Sequence, residues 1–171
     1  MPAPAVRILG FDLSLRATGY GRLSVAGSRV AGEGWGVVRA PAAWPHTRCL
    51  GRLRGEFAAL LGEGDPPAAV AIEGIFHCRN VRTALTLGEV RGVLLAACAE
   101  AGVPVFEYAP GEVKRSVTGR GGASKEQVAR MVVSLLGLSE TPPEDAADAL
   151  AVALCHERHR TLLRLGARKP L

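Results

Sequence analysis

The chain has 171 residues, 48% of them hydrophobic and 22% charged, which suits one compact domain with a single core and leaves no room for two large lobes. No apolar run reaches the roughly 18 residues of a membrane-spanning helix; Val93 to Ala99, as long as any, is closed by Arg91 and Glu100. The formal net charge of +5 is unevenly spread: residues 76–130 hold eight Lys or Arg against five Glu, 131–155 hold four acids and no base, and 156–171 hold five bases against Glu157 alone.

In chain order, the apolar run Val6 to Phe11 ends in Asp12. TGYGRLSVAG then alternates up to a turn at Gly27 and Ser28, and Val30 to Val38 completes a three-strand meander. After the Pro-rich connection RAPAAWPH, the residues Leu50, Leu53, Phe57, Leu60 and Leu61 recur at helical spacing as far as Gly62. Ala68 to Ile72 predicts a short strand closed by Glu73, and Asn80 can cap a long helix running to Glu100 or Ala101. Val103 to Tyr108 predicts the fifth strand, and Pro110 opens a short helix through Val117. TGRGG is a loop, and Ser124 caps a helix with Val128, Val132 and Leu135 facing inward. Thr141, Pro142 and Pro143 end that pattern, and the last helix begins at Glu144. This order predicts a mixed sheet with helices packed on its faces.

Asp12 and Glu73 each terminate a strand-like run, so their carboxylates meet at one sheet edge if the strands are neighbours. Asp145 and Asp148, three apart on a helix, share a face. That helix is rich in alanine, and small side chains let it press closely on a sheet. Each acid alone reads more readily as a turn, cap or helix-dipole residue. However, the chain has four Asp in all, and three of them occupy these element ends. Four converging carboxylates require a cation between them, and hard oxygen donors suit Mg²⁺ or Mn²⁺.

The segments ILGFDLSLRATGYG, AIEGIFHCRN, GEVRGV, FEYAPGEVKRSVTGRGGASKEQV and EDAADALAVALCH together resemble the RuvC family of Holliday junction resolvases, in order and spacing. The resemblance implies an α/β, RNase H-like fold with a mixed five-stranded sheet flanked by helices. It also implies metal-dependent, symmetric incision of four-way junction DNA by a homodimer, in recombination and repair, with the RuvA and RuvB branch-migration proteins as partners. The family's catalytic acids fall on Asp12, Glu73, Asp145 and Asp148, matching the set found above. Its DNA-binding lysines fall on Lys114 and Lys125 and its aromatic wedge on Phe76, with Arg79 beside it in the same DNA-facing segment. The family motif continues with Pro-Gly after the first Asp, whereas Leu13 and Ser14 stand here. Phosphodiester hydrolysis of this kind uses two divalent ions about 4 Å apart. On this reading Asp12 bridges the ions, Lys125 approaches the scissile phosphate and Lys114 holds a neighbouring one.

Residues 1–157 are expected to form the nuclease domain and 158–171 a basic tail. That tail reads as a frayed helix leading to a mobile end that adds only sequence-independent DNA affinity. Ala84, Gly88 and Gly92 recur every four residues and mark a stripe for close approach of a second helix. The GRGGA loop lacks the GK[ST] ending of a nucleotide-binding P-loop, and Cys155, His156 and His159 lack a second ligand pair for zinc, so neither ATP nor a structural metal is implied. Cys49, Cys78, Cys98 and Cys155 form no CxxC, and the N-terminus has no secretion-signal pattern, so a cytoplasmic protein is expected. Two other readings compete: an RNase H-like nuclease acting on RNA and DNA hybrids, and a non-catalytic junction-binding module, which has no need of four acids.

Overall fold

The computed structural model describes residues 5–75, 80–164 and 168–171, and the side chains of all of these except 161–164. Phe76 and Arg79 therefore lie outside the described residues. The elements follow in the order β1 (Val6–Asp12), β2 (Ala17–Ala26), β3 (Arg29–Arg39), α1 (His46–Gly62), β4 (Ala69–Glu73), α2 (Val81–Ala101), β5 (Val105–Tyr108), α3 (Pro110–Thr118), α4 (Lys125–Leu136) and α5 (Glu144–Arg164). The sheet order is β3-β2-β1-β4-β5; the meander is antiparallel, while β4 pairs parallel to both β1 and β5.

The expected caps are formed. Asn80 Oδ1 accepts from the Thr83 amide at 2.8 Å, and the Ser124 hydroxyl and Gln127 carboxamide satisfy each other's backbone amides. The fifth strand begins two residues later than its apolar pattern suggests. Gly102, at φ 68°, closes α2, the Val103 amide bonds back to Cys98 O, and Pro104 has no amide to donate.

The sheet separates two apolar clusters. Leu9, Phe11, Val70 and Ile72 pack with α1 and α2, where Phe11 meets Phe57 edge-on at 5.1 Å. Ile8, Leu23, Val25 and Ala71 pack with α3, α4 and α5. Because strand side chains alternate with period two, Asp12 follows Ile8 and Gly10 onto the α5 face, and Glu73 follows Ala71 there.

Glycines on that face set the distance to α5. A Cβ on Gly10 would lie 2.1 Å from Ala149 O, and one on Gly19 would lie 1.9 Å from Asp145 O. Gly21 lies under Leu150, whose side chain a Cβ there would meet at 2.6 Å. Glycine in the strands and alanine in α5 together bring helix backbone onto sheet backbone, closer than any ordinary side chain allows.

The carboxyl-terminal part differs from the frayed, mobile tail that its composition suggests. Cys155 and His156 are buried, α5 continues as helix through residue 164 across the expected boundary, and residues 168–171 return to the sheet, where the Leu171 amide donates to Val105 O at 2.9 Å. The partners of this segment lie on β5 and α3, about which tail composition carries no information.

Candidate active site

Parallel pairing of Phe11 with Ile72 sets Asp12 beside Glu73 at the carboxyl ends of the two central strands. Across the antiparallel ladder Asp12 pairs with Gly19, the residue on which the Asp145 carbonyl rests. The first turn of α5 is thus held over Asp12, and Asp148 follows one turn later. The four acids predicted from sequence are brought to one place by β1, β4 and α5.

Their electrostatics record the crowding. Asp12 is pushed up to about 7, first by burial and then by the negative charges of Asp148, Glu73 and Asp145, with Lys125 acting in the opposite sense. Glu73 and Asp148 are also raised, chiefly by desolvation, and both are relieved in part by Lys125. Glu73 is exposed, and Lys114 also lowers it.

Lys125, at the start of α4, supplies the nearest fixed positive charge. Its Nζ donates to Glu144 Oε1 at 2.5 Å and to Asp148 Oδ2 at 3.3 Å, and these contacts hold its own pKa above the usual lysine range. From sequence Glu144 is only an acid that starts a helix; its pairing with Lys125 depends on α4 lying against α5.

The turn after Asp12 is well ordered without Pro-Gly. Thr18 Oγ1 accepts from the Ser14 amide at 3.1 Å and donates to Ser14 O at 2.5 Å, while Ser14 Oγ accepts from the Ala17 amide at 3.0 Å. Arg16 then ties this turn to the Pro-rich connection, donating to Pro41 O at 2.5 Å and Trp44 O at 3.1 Å. Serine and threonine here do by hydrogen bonding what proline does by ring closure.

The donor set is all oxygen and strongly anionic, which fits a hard divalent cation. Among the described residues no three His, Cys, Asp or Glu side chains are already gathered as a closed set of metal ligands. Asp12, Glu73, Asp145 and Asp148 are the residues that would hold it.

A model of the crossover junction endodeoxyribonuclease RuvC matches residues 8–156. The chain belongs to the RuvC family. It is 45% identical over 155 residues to RuvC of Pelotomaculum thermopropionicum, covering 90% of this chain and 94% of that protein. It is 46% identical over 168 residues to RuvC of Halorhodospira halophila, covering 95% and 99%. Among solved structures, Thermus thermophilus RuvC in complex with Holliday junction substrate superposes with a TM-score of 0.87 at 37% identity, covering 97% of this chain and 99% of that one. The yeast mitochondrial Holliday junction resolvase, at 16% identity and a TM-score of 0.67, shares the fold. The five-stranded mixed sheet flanked by helices is thus the RNase H-like fold of these resolvases.

Within this RuvC-family site, Lys114 and Lys125 approach the acids from α3 and α4 respectively. No helix among the described residues is long and apolar enough to cross a membrane.

Proposed function

We propose that this chain is a metal-dependent, structure-selective endonuclease that resolves Holliday junctions by symmetric incision of two strands, in recombination and repair. The observation that carries the reading is the gathering of Asp12, Glu73, Asp145 and Asp148 at the ends of β1, β4 and α5 in a chain whose residues 8–156 match the RuvC family. A site built at such electrostatic cost is completed by a cation.

Two Mg²⁺ or Mn²⁺ ions would polarise the scissile phosphate, supply the attacking water and stabilise the leaving oxygen. Asp12 from β1, with Glu73 from β4 and Asp145 and Asp148 from α5, would supply the oxygen donors that hold the ions. Lys125 meets the scissile phosphate as a point charge once it leaves Glu144, and Lys114 holds a neighbouring phosphate. Phe76 as a wedge stacking on an unpaired base, and Arg79 beside it as a phosphate contact, are proposed from the sequence pattern. The working unit is a homodimer in the cytoplasm, with one site per incised strand, and RuvA and RuvB are the partners that family membership favours.

The test is incubation of the protein with a synthetic four-way junction, a linear duplex and an RNA and DNA hybrid, with and without Mg²⁺ or Mn²⁺. Paired nicks confined to the junction and dependent on metal are expected. Asp148→Asn should abolish the nicks while keeping junction binding, because losing a negative charge spares the phosphate contacts. Preferential cutting of the hybrid would replace this reading with a general RNase H-like nuclease, and binding without any cutting would leave a junction-binding module.

A further inference from the structure

Arg168, in the segment after α5, is tied both to β5, which pairs with β4 at Glu73, and to α3, which carries Lys114. Its Nη1 donates to Glu107 O at 2.9 Å and its Nη2 to Glu112 Oε1 at 2.7 Å, while its guanidinium plane lies over the Tyr108 ring, 4.4 Å from the centroid. Tyr108 is the residue paired with Glu73 across the β4 and β5 ladder, and its carbonyl accepts from the Gly74 amide at 2.9 Å. The Tyr108 hydroxyl is bound in turn to Nδ1 of the buried His156 at 2.8 Å. Glu112 lies two residues before Lys114 on α3, and its other oxygen accepts from the Ala109 amide that opens this helix.

The guanidinium therefore clamps the end of β5 to the first turn of α3, beside His159, whose Nε2 lies 3.2 Å from the same Glu112 oxygen. The contact is not an ordinary surface ion pair. The Arg168 side chain is only 31% exposed, and backbone carbonyl, carboxylate and aromatic face are engaged together, which a planar fork achieves and an ammonium does not. The Leu171 amide on Val105 O fixes the same segment further along the edge strand.

We infer that Arg168 is a positioning residue for the junction-cleaving reaction, acting through Glu112 and Tyr108 to hold Lys114 at the Glu73 side of the site. This rests on the reading of the chain as a junction endonuclease and adds a role for a residue whose sequence context suggested only non-specific charge. Lys114 is half-buried on α3 and near enough for its charge to act on Glu73, so a small swing of the first helical turn changes its distance to Glu73 and to a bound phosphate.

The experiment compares wild type, Arg168→Gln, Arg168→Lys, Lys114→Ala and the Arg168→Gln, Lys114→Ala double variant. It measures single-turnover incision of a four-way junction, junction affinity without divalent metal, and thermal melting. Arg168→Gln should slow incision roughly ten- to a hundredfold, the scale of a group misplaced by about 1 Å, with metal-free affinity little changed. Arg168→Lys should recover part of the rate by restoring the Glu112 ion pair. The double variant should be no slower than Lys114→Ala alone, because a residue that acts through Lys114 has nothing left to position.

Wild-type incision with an unaltered rate in Arg168→Gln overturns the inference while leaving the proposed function intact. So does a further slowing of Lys114→Ala by the same factor that slows wild type, or a rate loss matched by loss of folded protein. Wild type that does not cut junctions overturns the proposed function itself and this inference with it.

Discussion

At the scale of single residues, Asp12 carries a pH signature that does not require a substrate. A carboxyl whose folded pKa is raised to about 7 from an ordinary 3.8 takes up a proton on folding throughout that interval. Stability is therefore highest at low pH and falls as pH rises through the window, the reverse of a salt-bridged acid. The fall is on the order of 4 kcal/mol at full shift, and Glu73 and Asp148 move in the same direction. Melting curves in a chelator should show wild type losing stability between pH 5 and about 7.5, with Asp12→Asn flatter and more stable at the upper end. Mg²⁺ should restore wild type at high pH more than it helps the variant, because only the ionised site binds the ion. A flat wild-type profile would contradict the crowding of acids described here. The four acids were legible in the sequence because each ends a strand or opens a helix, and such positions have few possible neighbours. Glu144 and Arg168 were not, since each acts through a partner distant in the chain: Arg168 meets Glu112 across 56 positions.

The elements themselves were legible where hydrophobic period and caps agree, as in α2 between Asn80 and Gly102 and in α4 behind Ser124. Alanines in α5 signalled a closely packed helix, but the glycines that receive it, Gly10, Gly19 and Gly21, read from sequence only as part of a β pattern. Their meaning depends on which strand face meets α5, and that follows from the sheet order. Gly19→Ala would place a Cβ 1.9 Å from the Asp145 carbonyl oxygen, which is helix backbone and has no free rotamer to yield. The first turn of α5 must lift, so stability should fall by roughly 1–3 kcal/mol or more, as for other overpacked cores. Incision should fall further than the folded fraction, because Asp145 and Asp148 move with that turn. Gly55→Ala provides the contrast. It lies on an exposed stretch of α1 with nothing within 4 Å, and should stabilise the helix by about 0.5–1 kcal/mol without slowing incision. Equal effects of the two substitutions in denaturant melts would defeat the packing argument.

For the whole molecule, the outer face of α2 is where the proposed dimer would couple two sites. Gly88 and Gly92 have no neighbour within 4 Å, so the small-residue stripe does not serve packing of α2 on its own sheet. Val81 and Leu85 are 74% and 64% exposed on the same face, which is a poor disposition for a helix left in water. Residues 81, 85, 88 and 92 alternate four and three apart, the spacing of a seam between two helices crossing at a shallow angle. Glycines at its centre allow close backbone approach, and the apolar pair at its start covers the ends. A two-fold axis at this seam would join two copies through identical surfaces, giving two incisions from one assembly. Gly88→Leu fills the point of closest approach without touching the monomer core, so the chain should stay folded, sediment as a monomer and lose paired incision. Val81→Ser combined with Leu85→Ser should weaken the dimer by removing apolar area instead of adding bulk. If both variants sediment as dimers at micromolar concentration, the two sites are joined through another surface and the exposed α2 face needs a different explanation.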